Sequence, residues 1–241
     1  MMEKLEQLYE GKAKRIYRTT DEEVVWVSYK DSATAFNGEK KAEIAGKGRL
    51  NNEISSILFE LLKEKGIDSH FVKRVSETEQ LVKKVTIIPL EVVVRNIAAG
   101  SLSKRTGIPE GQILPRTIVE FYYKNDDLGD PLITEEHIDI MNLATREQLS
   151  QISEHAIQIN EVLTSYFVQK NVKLVDFKLE FGTDANGNLM LADEISPDTC
   201  RLWDAETNEK LDKDVFRRGL GSLTDAYEKI LQRLGGLSCT K

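Results

Sequence analysis

Leu174-Val-Asp-Phe-Lys-Leu-Glu-Phe-Gly182 decides the fold, because its side chains sort by parity. Successive strand residues point to opposite faces, so Asp176, Lys178 and Glu180 share one side while Val175, Phe177, Leu179 and Phe181 share the other. A buried apolar face then backs a charged one. Asp184-Ala-Asn-Gly187 supplies residues able to take positive φ, and residues 189–195 read as a second strand, so a β-hairpin is expected. If its register pairs residues whose numbers sum to an odd value, Asp193 returns to the face of Glu180, about 5 to 8 Å away. Two carboxylates and a lysine would then converge.

The chain has 241 residues and is 40% hydrophobic, enough for one large domain or two lobes around a packed core. With 40 acidic against 33 basic residues, its net charge of -7 argues against a general nucleic-acid or anionic-membrane surface and leaves local basic pockets open. No apolar run approaches the roughly 20 residues of a transmembrane helix, and the polar start has no signal-peptide core. A cytoplasmic protein is expected. Cys200 and Cys239 lack metal-ligand spacing and form no disulfide framework, so both read as structural or incidental thiols.

Residues 3–9 are expected to form a short helical lead, followed by two antiparallel strands over 11–18 and 24–29. Gly11, Lys12 and Lys14 either cap nucleotide phosphates or form a solvated lysine face on an edge strand. Residues 31–49 read as loop and contain neither a Walker loop nor a dinucleotide fingerprint. In 51–65, Ile54, Ile57, Leu58, Leu61 and Leu62 mark a helical apolar stripe, with Gly66 as its stop. Strand-like runs follow at 70–75, 80–88 and 90–97. With the first hairpin and the helix they are expected to make a small antiparallel sheet with one helix laid on it, and Pro89 marks a lobe boundary.

In Arg95-Asn-Ile-Ala-Ala-Gly100-Ser101 a basic residue ends an apolar strand just before small residues and a helix start. Arg95 and Ser101 suit a phosphate there; alternatively, Arg95 pairs with a carboxylate and Ser101 caps the helix. Residues 116–124 read as a strand and 125–131 as a polar loop. A long helix is expected over 146–171, where Leu149, Ile152, Ala156, Ile159, Leu163 and Tyr166 recur every three or four residues. His137 and His155 lie in predicted helices without partnered spacing, and with His70 they read as ordinary residues rather than ligands. Ser196-Pro-Asp198-Thr-Cys-Arg201-Leu-Trp203-Asp204 is dense in functional side chains just after a strand end. A final helix is expected over 214–234, followed by a frayed tail.

Glu180 and Asp193, with no cysteine or histidine near them in sequence, offer hard oxygen donors that suit Mg²⁺. Lys178 between them could neutralise a moving phosphoryl group, and Arg95 with Arg201 could hold a second anion. The pattern suggests phosphoryl transfer. The bland alternative is a cross-strand Glu180–Lys178 ion pair, worth about 0 to 1 kcal/mol at a surface.

Two long stretches, Ile87-Ile-Pro-Leu-Glu-Val-Val-Val-Arg-Asn-Ile-Ala-Ala-Gly-Ser101 and Leu174 through Gly182, resemble the signatures of the phosphoribosylaminoimidazole-succinocarboxamide synthase (SAICAR synthetase) family. Gly11-Lys-Ala-Lys14, Leu81-Val-Lys-Lys84, Lys124-Asn-Asp126, Asp193-Glu-Ile-Ser-Pro-Asp198 and Arg201-Leu-Trp-Asp204 resemble it too, in order along nearly the whole chain. The resemblance implies an α+β, two-lobed ATP-grasp-like fold. Residues 1–88 would be a small antiparallel-sheet lobe that binds nucleotide and is similar to a protein-kinase N-lobe; residues 89–241 would be a larger α/β lobe with the substrate and metal sites. The implied reaction joins L-aspartate to the carboxylate of carboxyaminoimidazole ribotide (CAIR), giving SAICAR, ADP and phosphate through an acyl phosphate in purine biosynthesis. Such a ligase would work mainly by positioning and charge neutralisation.

Carried over by position, the resemblance implies that Lys12, Ala13, Lys14 and Lys124 serve ATP, with Lys83 opening the segment that borders adenine. Glu180 and Asp193 would bind Mg²⁺ beside the nucleotide. Arg95, Ser101 and Arg201 would hold the ribotide, chiefly its phosphate, and Asp198 its imidazole end. Lys178 would sit by the transferred phosphoryl group and CAIR, with Asp176 orienting Lys178 or the substrate amine. A homodimer is implied as well. Several relatives carry aspartate where this chain has Asn37-Gly38, and an amide hydrogen-bonds but cannot act as a base. Two other readings compete: a kinase-like phosphotransferase, for which the chain lacks His-Arg-Asp and Asp-Phe-Gly, and a nucleotide-binding module without turnover.

Overall fold

Two antiparallel sheets share the chain in a computed structural model that describes residues 2–35 and 38–236. The first is built from β1 (Lys4–Glu10), β2 (Lys14–Thr19), β3 (Val24–Tyr29), β6 (Phe71–Arg74) and β7 (Glu79–Lys83), in the order β1-β2-β3-β7-β6. Strand β1 corrects the expected helical lead. Seven residues are too few to sustain a helix alone, whereas pairing with β2 satisfies their backbone groups and sets Glu6 and Glu10 against Arg18 and Arg15.

The segment expected to be a loop holds a two-stranded ribbon, β4 (Ser32–Ala35) and β5 (Lys40–Glu43), with Ala33 and Ala35 buried. Asn37 lies outside the described residues, as does Cys239. Helix α1 (Lys47–Glu64) starts earlier than the apolar stripe suggested, because its N-terminus is capped from a distance. The Asp31 carboxylate accepts hydrogen bonds from the Gly46 and Gly48 amides at 3.2 and 2.8 Å, which satisfies amides that the helix cannot. Gly66, at φ +78, closes the helix as expected.

The second sheet runs β11 (Leu132–Ile133), β10 (Ile113–Tyr123), β9 (Leu90–Ile97), β12 (Val172–Thr183), β13 (Leu189–Ala192). Strand β12 also pairs with β8 (Thr86–Ile87) at one end and β14 (Cys200–Asp204) at the other. The run over 80–88 is thus split between the two sheets, and 90–97 belongs to the second rather than the first. A side chain at Gly182 would meet the Thr86 carbonyl at 2.8 Å, so the close approach of β8 to β12 at that position requires glycine.

Parity predicted the site face of β12 but failed at Val175. A bulge against β14 between Leu174 and Asp176 puts Leu174 in the main core with Phe177, Leu179 and Phe181. Val175 turns into a small cluster with Ala99 and Trp203.

Helices α2 (Gly100–Thr106), α3 (Glu135–Ile140), α4 (Arg146–Gln169), α5 (Asp214–Arg218) and α6 (Leu223–Leu234) complete the described chain. The expected final helix is two, because Gly219 ends α5 in the left-handed region and Ser222 caps α6 by accepting from the Asp225 amide. Leu149, Ile152, Ala156, Ile159 and Leu163 of α4 are buried as their spacing predicted, joined by Phe167, while Tyr166 stays at the margin. Of the stripe expected on α1, Ile54, Leu58 and Leu62 are buried, with Ile57 and Leu61 packed at the edge of the same core. Tyr227 and Ile230 of α6 belong to that core as well. Helix α1 therefore lies between the small sheet and the helices of the larger one.

Candidate active site

The charged face of β12 forms the floor of a cleft of about 1100 Å³ between the two sheets. Every residue singled out from the sequence as a site candidate lines it. Lys178 is at the centre. Its Nζ lies 2.5 Å from Glu180 Oε1, 3.1 Å from Glu91 Oε1 and 3.4 Å from Asp193 Oδ2. Glu91 was missed, although it shares parity with Val93 and Arg95 on β9 and so faces the same side.

Asp193 arrives by a route other than the one expected. The hairpin pairs Glu180 with Ala192 and Phe181 with Leu191, an even register that alone would send Asp193 to the far face. Asp193 instead follows β13 at φ +60, and this left-handed residue turns its carboxylate back to Lys178 and Lys14. A non-glycine residue in that region costs on the order of 1 kcal/mol, and aspartate tolerates it better than most residues.

Lys14 ion-pairs with Asp193 and lies 3.2 Å from Glu194 Oε1; Lys124 Nζ lies 2.6 Å from Glu180 Oε1. Three lysines thus surround the two carboxylates. Burial pushes the Asp193 carboxyl upward, but Lys14 and Lys178 outweigh it and hold the group well below the usual carboxylate range. Burial likewise pulls Lys178 down, and Glu180 with Asp193 more than reverses it. Asp193 and Lys178 are therefore both charged at neutral pH. His70, at the head of the run expected to be a strand, immediately precedes β6, and burial together with Lys14 lowers its pKa to about 4. Its Nε2 lies 3.0 Å from the Asp193 carbonyl oxygen.

At one end of the cleft, Asp176 bridges two guanidinium groups. Arg95 Nη1 donates to Asp176 Oδ2 at 2.8 Å, and Arg201 Nη1 reaches both carboxylate oxygens at 2.8 and 3.0 Å. Lys178, which Asp176 was expected to orient, is held instead by Glu180, Glu91 and Asp193. Arg95 is buried and already engaged by Glu120, Ser101 and Tyr122. Arg201 is anchored through Nε by Asp214 at 3.2 Å, and among the described residues its Nη2 has no hydrogen-bond partner. Gly100, at φ +53, leaves the space in which the Arg201 guanidinium lies.

Asp198 is buried beside Lys47, 2.6 Å away, with Lys213 at 3.5 Å and the Tyr227 hydroxyl donating to it. Burial raises this carboxyl, and Lys47 and Lys213 bring it well below the usual range. Sequence spacing missed Lys47, Lys213 and Glu194, whose positions follow from α1, α5 and β13 meeting in space. Toward the other end, Lys12 pairs with Asp126 at 2.7 Å, joining the β1–β2 turn to the turn after β10, with Ala13 and Lys83 on the same wall.

The arrangement offers two cationic ends with a lysine–carboxylate cluster between them, suited to moving a phosphoryl group between two anionic substrates. Among the described residues no three His, Cys, Asp or Glu side chains form a ready metal cage. Glu180 and Asp193 are a pair of oxygen donors within reach of one Lys178 nitrogen, which fits Mg²⁺ completed by phosphate and water rather than by protein alone. Cys200 is buried, and burial pushes its thiol above the ordinary range, which leaves it unreactive. His137 serves the cap of α3, and His155 packs against Phe181. No described helix is long and apolar enough to cross a membrane.

The family model described as SAICAR synthetase matches residues 7–234. A phosphoribosylaminoimidazole-succinocarboxamide synthase of Anoxybacillus flavithermus is 65% identical over 100% of both chains, and one of Bacillus cytotoxicus is 68% identical over 98% of this chain and 99% of its own. The crystal structure of the Ehrlichia chaffeensis synthase, 49% identical, superposes with a TM-score of 0.94 over 97% of this chain and 100% of that one. A SAICAR synthetase solved in complex with ADP gives the same TM-score at 49% identity, over 98% and 100% of the two chains. The mixed architecture with antiparallel sheets is their ATP-grasp-like fold. On sequence and on structure alike, this chain belongs to the SAICAR synthetase family.

Proposed function

We propose that the protein is an ATP-dependent ligase that joins L-aspartate to the carboxylate of CAIR, giving SAICAR, ADP and phosphate in purine biosynthesis. The observation that carries this reading is Lys178 held by Glu180 and Asp193 midway along one cleft with a cationic wall at each end. A carboxylate cannot expel oxide when an amine attacks it. ATP therefore phosphorylates the CAIR carboxylate first; the aspartate nitrogen then forms the C–N bond, phosphate leaves with the broken C–O bond, and the amine gives up a proton.

In this assignment residues 1–88 form the nucleotide-binding lobe and 89–241 the substrate lobe. Lys12, Ala13 and Lys14 lie along the ATP phosphates, Lys83 borders the base and Lys124 meets the phosphates from β10. Lys178 neutralises the phosphoryl group in transit and approaches CAIR. Glu180 and Asp193 hold Mg²⁺, which when bound screens the charge of the phosphates. Arg201, through Nη2, and Ser101 take the ribotide phosphate directly, while Arg95 braces them from behind. Asp176 keeps the two guanidinium groups together, a positioning role in place of amine orientation. Asp198 receives the imidazole end. Family resemblance further supports a homodimer in the cytoplasm.

ADP release is the test, with Mg²⁺, CAIR and L-aspartate omitted one at a time. Release should require all three. Release that continues at full rate without CAIR and aspartate would sink the ligase and leave a simple ATPase; binding without any release would favour the non-enzymatic module.

A further inference from the structure

We infer that His70 is a positioning residue for Asp193: its imidazole N–H locks the left-handed backbone that aims the Asp193 carboxylate at the centre of the cleft. The inference rests on the proposed metal-binding role of Asp193.

The geometry is specific. Register alone turns Asp193 away from Glu180, and only φ +60 brings it back, so whatever holds that conformation sets the spacing of the two carboxylates. The Asp193 peptide carbonyl receives the His70 ring nitrogen at 3.0 Å. A carbonyl oxygen only accepts, so Nε2 must carry the hydrogen. The ring itself is buried and fixed edge-on to Phe59, with centroids 5.5 Å apart. The backbone of His70 is pinned as firmly: its amide donates to the Leu191 carbonyl at 2.8 Å, and its own carbonyl accepts from the Lys83 amide at 2.6 Å. One residue therefore joins β7 of the small sheet to β13 and Asp193 of the large one. Hydrogen bonds that orient a ligating group commonly cost about 10- to 100-fold in metal binding when lost; the bond from His70 acts on the same orientation through the Asp193 backbone.

The test compares His70→Gln, whose amide can reach the same carbonyl, with His70→Met, of similar length and without a donor. Free Mn²⁺ is counted by electron paramagnetic resonance during titration of the full chain with ADP present, and ADP binding is measured separately without metal. His70→Met should weaken Mn²⁺ binding by about 10- to 100-fold, leave metal-free ADP binding and the KM for CAIR unchanged, and raise the Mg²⁺ needed for half-maximal turnover. His70→Gln should restore most of the loss. Wild-type Mn²⁺ affinity in His70→Met, or equal weakening in both variants, overturns the inference while leaving the ligase reading intact. Wild-type protein that binds no Mn²⁺ with ADP overturns the metal reading and this inference together. A second measurement needs no variant: ¹⁵N spectra of the wild-type chain should show His70 as the Nε2–H tautomer, and the Nδ1–H form overturns the proposal.

Discussion

Replacing Gly100 by alanine adds one methyl group and removes no hydrogen bond, yet it should disturb both stability and ribotide binding. Gly100 sits at φ +53, where an L-residue costs about 1–2 kcal/mol. The new Cβ would lie 2.7 Å from the central carbon of the Arg201 guanidinium, closer than any carbon contact allows. Arg201 cannot simply swing aside, because Asp176 and Asp214 hold it through Nη1 and Nε. Surrendering one charge-assisted bond costs about 1.5–3 kcal/mol, so the total is about 2.5–5 kcal/mol if a single bond is lost. At roughly 2–4 °C per kcal/mol for a chain of this size, thermal unfolding should fall by at least about 5 °C. The KM for CAIR should rise about tenfold or more if a further 1.4 kcal/mol of phosphate binding is lost, with the KM for ATP little changed. Scanning calorimetry and initial rates measure both. A Gly100→Ala protein with wild-type melting and wild-type KM for CAIR would refute the packing of Arg201 against this glycine.

Glu180→Gln should lower Mg²⁺-dependent ADP release by about 100-fold or more in a protein that still folds by circular dichroism; unchanged turnover would remove Glu180 from the site. Arg95→Ala removes the cation shared by half-buried Glu120 and buried Asp176, which keep Arg105 and Arg201 respectively, so it should destabilise by about 1–3 kcal/mol and raise the KM for CAIR. An effect confined to the KM for ATP would contradict that placement. Asp212 is buried, and burial followed by the charge of Asp214 lifts its pKa from 3.8 to about 7. For an acid raised in the folded state, the unfolded chain ionises first, so this group's contribution to stability falls as pH rises from about 4 to about 7 and is level above that. Asp212→Asn cannot titrate, and urea unfolding at pH 5 and pH 8 should therefore find the wild type losing stability relative to the variant as pH rises. Parallel pH profiles would count against the raised pKa.

Strand β12 was legible because alternation needs no partner to be read: Asp176, Lys178 and Glu180 face the cleft as their parity required. What failed was information held by neighbours. Asp193 reaches Glu180 through a single left-handed residue, which periodicity does not encode and which reverses the effect of an even register. The start of α1 is hidden because its cap, Asp31, lies outside the helix sequence. Residues 4–10 form a strand only because β2 offers an edge. Lys47 and Lys213 come to Asp198 from distant segments, so no local spacing marks them. The two long family stretches converge on one cleft even so, since they contain the residues of β9 and β12 that pair side by side.

The position of α1 also bears on how the molecule folds. The small sheet's own cluster of buried apolar side chains is Val25, Val27, Tyr29 and Val82, with Ile16 beside them, whereas Leu50, Ile54, Leu58 and Leu62 of α1 are committed to the core shared with α4 and α6. That small cluster is too little apolar core to hold five strands without α1 packed on them. The small sheet should therefore have little stability of its own. It is expected to form with the rest of the chain in one cooperative transition, and excising it should yield an unfolded peptide.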